Sequence, residues 1–198
     1  ATTGLSVELL AGLVFSAQAF TMMLASPVWG ALADRFGRKL MVERAMFGGS
    51  IILLLMAFAR SAEELVILRA IQGLITGTIA ANNALVAAVA PRERMGYAMG
   101  MLQVGLGTGV ALGPLMGGAI ADAFSYSAAF YVTAALLFLS GLLVWRFVDE
   151  HFDQPPERTL HSRSLISGWK KILISPGVVI TFSMRFISQL GRNMLLPV

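Results

Sequence analysis

Apolar residues in this chain run in six long blocks, at residues 9–33, 41–59, 65–90, 95–121, 128–148 and 177–198, with polar breaks between them. Blocks of about 20 apolar residues match the length an α-helix needs to cross a hydrocarbon core of about 30 Å. A membrane β-barrel would instead alternate apolar and polar positions over short segments. The breaks concentrate the charge: residues 60–64, 91–94 and 122–127 are short connectors, and residues 149–176 form a longer polar link. The pattern predicts an all-α membrane protein with five complete spans and the start of a sixth. Within the long link, residues 164–173 (Ser-Leu-Ile-Ser-Gly-Trp-Lys-Lys-Ile-Leu) place apolar positions at near-helical spacing beside Trp169 and two lysines, which suits a short helix lying on the membrane surface.

Composition agrees with this pattern. The chain is 57% hydrophobic and 13% charged, about half the charged share of an ordinary soluble domain. It has no cysteine, which excludes disulfides, thiol catalysis and cysteine metal sites. If successive spans alternate in direction, Arg35, Arg38, Lys39, Arg44, Arg92, Arg94, Arg146, Arg158, Arg163, Lys170 and Lys171 share one side, and only Arg60 lies on the other. Cations accumulate on the cytoplasmic side, so residues 30–39 are expected there. The net charge of +4 therefore reads as topogenic charge facing an anionic leaflet, not as a nucleic-acid surface. Both histidines, His151 and His161, sit in the long link, and no nucleophile–base set or metal cluster accompanies them. Neither an enzyme nor a cofactor is expected. The chain begins at Ala1 without a signal peptide and reads as cropped at both ends.

Charge and glycine are packed most densely in Gly30-Ala-Leu-Ala-Asp34-Arg35-Phe-Gly37-Arg38-Lys39. Charge is costly in lipid, so this segment is expected to be a tight, water-facing turn between two spans. Its glycines would allow close approach or positive φ, and Asp34 could face a helix N-terminus. The spacing Gly-x-x-x-Asp-Arg-x-Gly-Arg-Lys resembles the loop between helices two and three of the major facilitator superfamily of secondary transporters. That resemblance implies a helical bundle in which the first span here is family helix two. Residues 1–148 would then hold helices two to six of the N-terminal bundle, with helix one missing. Residues 149–176 would be the central cytoplasmic loop, and residues 177–198 the start of helix seven. It also implies a conformational latch built from Gly30, Asp34, Arg35, Gly37, Arg38 and Lys39.

Two further motifs narrow the reading. On one continuous helix at 100° per residue, Arg69, Gln72, Thr76 and Asn83 fall within about 60° of one another, and such a polar stripe on an apolar span normally faces a cavity or a partner helix. Arg69-Ala-Ile-Gln72-Gly73 resembles the helix-four motif of proton-coupled facilitators, which implies proton coupling through Arg69, Gln72 and Gly73. An arginine that merely snorkels to the interface is the competing account. In Gly105-Leu-Gly-Thr-Gly109-Val-Ala-Leu-Gly113-Pro114-Leu-Met-Gly117-Gly118, glycine recurs every four residues, a surface for close helix contact. Pro114 removes one backbone hydrogen bond and should bend the helix. The complete run resembles the helix-five antiporter signature of the twelve-helix drug/proton antiporters.

Candidate cavity residues are Phe15, Gln18, Met22, Thr76, Asn83 and Gln103, with adaptable Met and aromatic surface of the kind promiscuous sites use. Arg185, Gln189, Arg192 and Asn193 form a further polar stripe in the last span. The resemblance implies a multi-pass protein of the bacterial inner membrane, functional as a monomer. It would export small amphipathic compounds in exchange for protons by alternating access. The alternatives are a facilitator of the same fold carrying sugar, amino acid or metabolite, and a non-transporting membrane sensor or scaffold. No carboxylate in the body of a complete span offers itself as the proton carrier.

Overall fold

A computed structural model describes residues 7–150 and 176–194. The helices are α1 (Val7–Phe36), α2 (Arg38–Met56), α3 (Ala62–Ile75), α4 (Thr78–Val89), α5 (Met95–Ala123), α6 (Tyr126–Phe147) and α7 (Pro176–Met194), with a 3₁₀ turn at Arg92–Arg94. No strand occurs among the described residues. Two compact units divide the chain, Ala1–Gln154 and Pro155–Val198. In the second, α7 is described by itself; the surface helix expected at residues 164–173 lies outside the described residues.

Polar residues set the helix boundaries. Ser61 caps α3 by accepting from Glu64 N at 3.2 Å, while the Glu64 carboxylate accepts from Arg60 N at 2.8 Å. The Glu64 N–H is one that a helix start leaves without an intrahelical partner, and the Glu64 carboxylate reaches back to the residue before the cap. Ser125 caps α6 as Ser61 caps α3, through Ala128 N at 3.1 Å. Between α1 and α2 the connection shrinks to Gly37 alone, with φ 94 and ψ 157. The ten-residue turn expected at residues 30–39 is therefore mostly helix.

In the first unit α1 packs mainly on α3, and α2 packs on α6, α3 and α4. Ile52, Leu53 and Met56 of α2 form a core with Ala134 of α6. Nearer the other end of α2, Val42 and Met46 pack with Leu85 of α4. Small residues bring α2 and α6 together: a Cβ on Gly141 would lie 3.0 Å from the Phe47 ring, and Ser50 Oγ donates to the Ala134 carbonyl at 2.8 Å. Outside this core, large apolar side chains such as Phe15, Phe20, Leu115, Phe138 and Phe147 are exposed. Hydrocarbon, unlike water, exacts no penalty for such a surface.

Among the described residues, four segments are long and apolar enough to cross a membrane: Leu9–Phe36, Ala62–Val89, Arg92–Ala123 and Tyr126–Phe147. The first two turns of α2 hold Arg38, Lys39, Glu43 and Arg44, which lower its apolarity, although its other end is deeply packed. The span expected at residues 65–90 is not one helix. It breaks after Thr76, where Gly77 takes φ 135 and starts α4.

Candidate functional site

Polar groups meet where α3 crosses α1. One guanidinium nitrogen of Arg69, Nη1, donates to Gln18 Oε1 and to Gln72 Oε1, both at 3.1 Å. Gln72 is buried, and the next residue, Gly73, lies directly against α1. A Cβ there would collide with Thr21 Oγ1 and the Gln18 carbonyl oxygen, so only glycine admits this approach. Thr21 Oγ1 donates across the contact to the Ala70 carbonyl at 2.8 Å, and Trp29 Nε1 donates to the Leu74 carbonyl at 2.6 Å. Arg69 is thus held by two neutral amide oxygens, with no carboxylate paired to it among the described residues. A fixed cation so placed favours the ionised form of any carboxyl group brought near it.

The other members of the polar stripe are arranged differently. Thr76 is buried, donates its hydroxyl to the Gln72 carbonyl at 2.7 Å, and lies where a Cβ on Gly49 would be 3.1 Å from its methyl group. Its contacts are those of helix packing between α3 and α2. Asn83 lies beyond the Gly77 break on α4, half-buried, so the angular alignment of one continuous helix does not apply to it. Phe15, Met22 and Gln103 are exposed, and only Gln18 of the expected cavity group joins Arg69.

At the α1–α2 turn, Gly37 is buried and its backbone occupies a region essentially reserved for glycine. Gly30 stands in open space within α1, so close approach does not explain it among the described residues. Asp34 and Arg35 are exposed, with Arg35 5.2 Å from the Phe36 ring centroid. The N-terminus of α2 is met by Glu150, not Asp34: its two carboxylate oxygens accept from Arg38 N and Lys39 N. Lys39 Nζ donates to the Trp145 carbonyl at 3.0 Å and lies 3.8 Å from Glu43.

Two features have no marker in residue spacing. Glu150 follows Asp149 just past a span, and nothing in the sequence singles it out from its neighbour or ties it to Arg38. Arg44, counted above among the cytoplasmic cations, is half-buried with its guanidinium 3.3 Å from the Trp29 ring centroid. A stacked, partly desolvated cation of this kind contributes about 0.5–2 kcal/mol.

α5 runs unbroken through Pro114, and none of its residues is buried. A Cβ added at Gly105, Gly109, Gly113, Gly117 or Gly118 would meet nothing within 4 Å. The glycine run therefore has no helix against it among the described residues. On α7, Arg185 is exposed; the side chains of Arg192 and Asn193 lie outside the described residues, and Gln189 is exposed with an interaction of its own.

A bundle of long apolar helices, with a charged turn at one helix end and a guanidinium held inside a span, is that of a polytopic membrane protein. The profile of the Major Facilitator Superfamily matches residues 2–198, and the chain belongs to that superfamily. Its relatives include the multidrug resistance protein MdtG of Enterobacter lignolyticus, 39% identical over 195 residues, which cover 98% of this chain and 46% of that protein. MdtG of Salmonella paratyphi A is 38% identical over 98% of this chain and 47% of its own length. For MdtG of Salmonella arizonae the identity is 37% over the same shares. The chain spans about half the length of the curated relatives it matches.

Proposed function

We propose that the protein carrying this chain is a secondary active transporter, not an enzyme, that exports small amphipathic compounds from the bacterial cytoplasm in exchange for protons. It works as a monomer in the inner membrane by alternating access between two helical halves. In this reading α1 is family helix two, α3 and α4 together are helix four, α5 and α6 are helices five and six, and α7 belongs to helix seven. Residues 149–176 are the loop between the halves. Export of drugs is supported by the MdtG relatives and by the glycine run of α5.

The observation that carries proton coupling is Arg69, whose guanidinium is held across α1 and α3 by the amide oxygens of Gln18 and Gln72. A guanidinium fixed in this way attracts the carboxylate form of an approaching acid and promotes release of its proton. Such an acid lies outside the described contacts of Arg69. The anchored geometry favours this role over snorkelling, which would leave the guanidinium at the interface.

The test is efflux of ethidium from cells expressing the whole protein. Efflux should stop when the proton gradient is collapsed and should be lost in Arg69→Ala. Arg69→Lys keeps charge but not the planar fork, and should retain part of the activity. Full, gradient-dependent efflux by Arg69→Ala would remove Arg69 from the coupling step. Absence of efflux by wild type, with uptake of a sugar, amino acid or metabolite, would favour a facilitator of the same fold.

A further inference from the structure

The N-terminus of α2 is closed from a distance. Helix starts are ordinarily capped by Ser, Thr, Asp or Asn at the N-cap position, but here that position is Gly37 and it offers no side chain. Its backbone, at φ 94 and ψ 157, excludes the residues that would cap locally. The cap comes instead from Glu150, just past the end of α6. Glu150 Oε1 accepts from Arg38 N at 3.1 Å and Oε2 accepts from Lys39 N at 2.7 Å. A carboxylate at this point meets both free N–H groups and the positive end of the helix dipole. Lys39 adds a third link through the Trp145 carbonyl at 3.0 Å. The end of α6, where the long polar link begins, is thereby fastened to the charged α1–α2 turn.

We propose that Glu150 is a positioning residue for transport: its carboxylate holds the Gly37–Lys39 turn and the start of the 149–176 link as one piece. Movement of the end of α6 is then passed to the turn without slack, and the rate of conformational exchange depends on the cap. This inference rests on the transporter reading above. It assigns Glu150 no contact with substrate, so turnover depends on it and substrate affinity does not.

The experiment uses the whole protein in proteoliposomes, as wild type, Glu150→Ala and the size-matched Glu150→Gln. Amide hydrogen exchange at Arg38 and Lys39 reads the cap, and gradient-driven ethidium transport reads its consequence. In Glu150→Ala these two amides should exchange about tenfold faster or more, because the charge-assisted bonds are gone. Maximal ethidium flux should fall about tenfold while KM stays within about twofold. Glu150→Gln, which keeps one acceptor oxygen, should fall between. Glu150→Asp should restore more flux than Gln if charge at the helix start is what matters. Unchanged amide exchange overturns the cap, and faster exchange with unaltered flux overturns the positioning role. A KM that rises in step with lost flux also overturns it, by placing Glu150 in binding. If wild type moves no ethidium, the transporter reading fails for this probe, while amide exchange still decides whether Glu150 holds the turn.

Discussion

Gly73→Ala adds one methyl group at the tightest point between α1 and α3. At an open helical position this change stabilises by about 0.5–1 kcal/mol, because alanine loses less backbone freedom on folding. Here the new Cβ meets Thr21 Oγ1 and the Gln18 carbonyl oxygen, and lies 3.0 Å from the Gln18 carbonyl carbon. Thr21 can rotate away, but the Gln18 backbone can yield only if α1 shifts. Overpacking of this kind costs about 1–3 kcal/mol. A shift of α1 also loosens the 2.8 Å bond from Thr21 to Ala70, worth about 0.5–1.5 kcal/mol. The net expectation is a loss of about 0.5–4 kcal/mol. Reversible unfolding of the purified protein in mixed micelles measures it, with Gly12→Ala as control because a Cβ on Gly12 meets nothing within 4 Å. Gly12→Ala should be neutral or slightly stabilising. Adding Thr21→Ala to Gly73→Ala should recover only part of the loss, since the backbone collision remains. Equal stability of Gly73→Ala and wild type would refute the close approach of the two helices. A loss no larger than that of the Gly12 control would do the same.

Gly77→Ala should cost about 1–2 kcal/mol in the same assay despite open space around it, because φ 135 is strained for a residue with a Cβ; a neutral effect would argue for a continuous helix through residue 77. Single cysteines, introduced into a chain that has none, should report topology: at Ala62 and Ser125 they should react with an impermeant thiol reagent outside intact cells, and at Phe36 they should not. The reverse pattern would invert the helix numbering. Gly113→Leu should leave unfolding stability unchanged or raise it by up to about 1 kcal/mol, since nothing described lies within 4 Å of its Cβ and leucine favours a helix over glycine. It should nevertheless suppress exchange in the whole protein if helix five packs against the second half, and full exchange would reduce the glycine run to a surface feature.

The apolar blocks were legible because a membrane imposes length on its helices, and five of the six blocks correspond to single helices. The block at residues 65–90 does not. Isolated glycine within an apolar run is common, and nothing in the flanking Ile-Thr-Gly-Thr marks Gly77 as a break. The error carried into the site, because the stripe joining Asn83 to Arg69 assumed one helix. The pair Arg69 and Gln72 survived, being three residues apart on α3, where local periodicity suffices. Gln18 was named from a different helix for a different reason, and only the crossing of α1 on α3 brings it to Arg69. Thr76, expected at a cavity, is buried and bonds its own helix, and in sequence such a hydroxyl reads the same as one that faces a ligand. Gly37 was readable as a positive-φ position; the identity of its distant cap was not. That cap depends on where α6 ends in space, information that no local spacing contains.

A protein that exchanges protons for an amphipathic compound moves protons when that compound alone is supplied. Purified whole protein is reconstituted in liposomes enclosing a pH-sensitive dye, and ethidium is added outside with no imposed pH gradient. Ethidium entering down its gradient should drive protons out, so the interior should become alkaline, and Arg69→Ala liposomes should show no such change. Ethidium entry without any change of internal pH would contradict proton exchange. No protein-dependent entry at all would contradict transport of this class of compound.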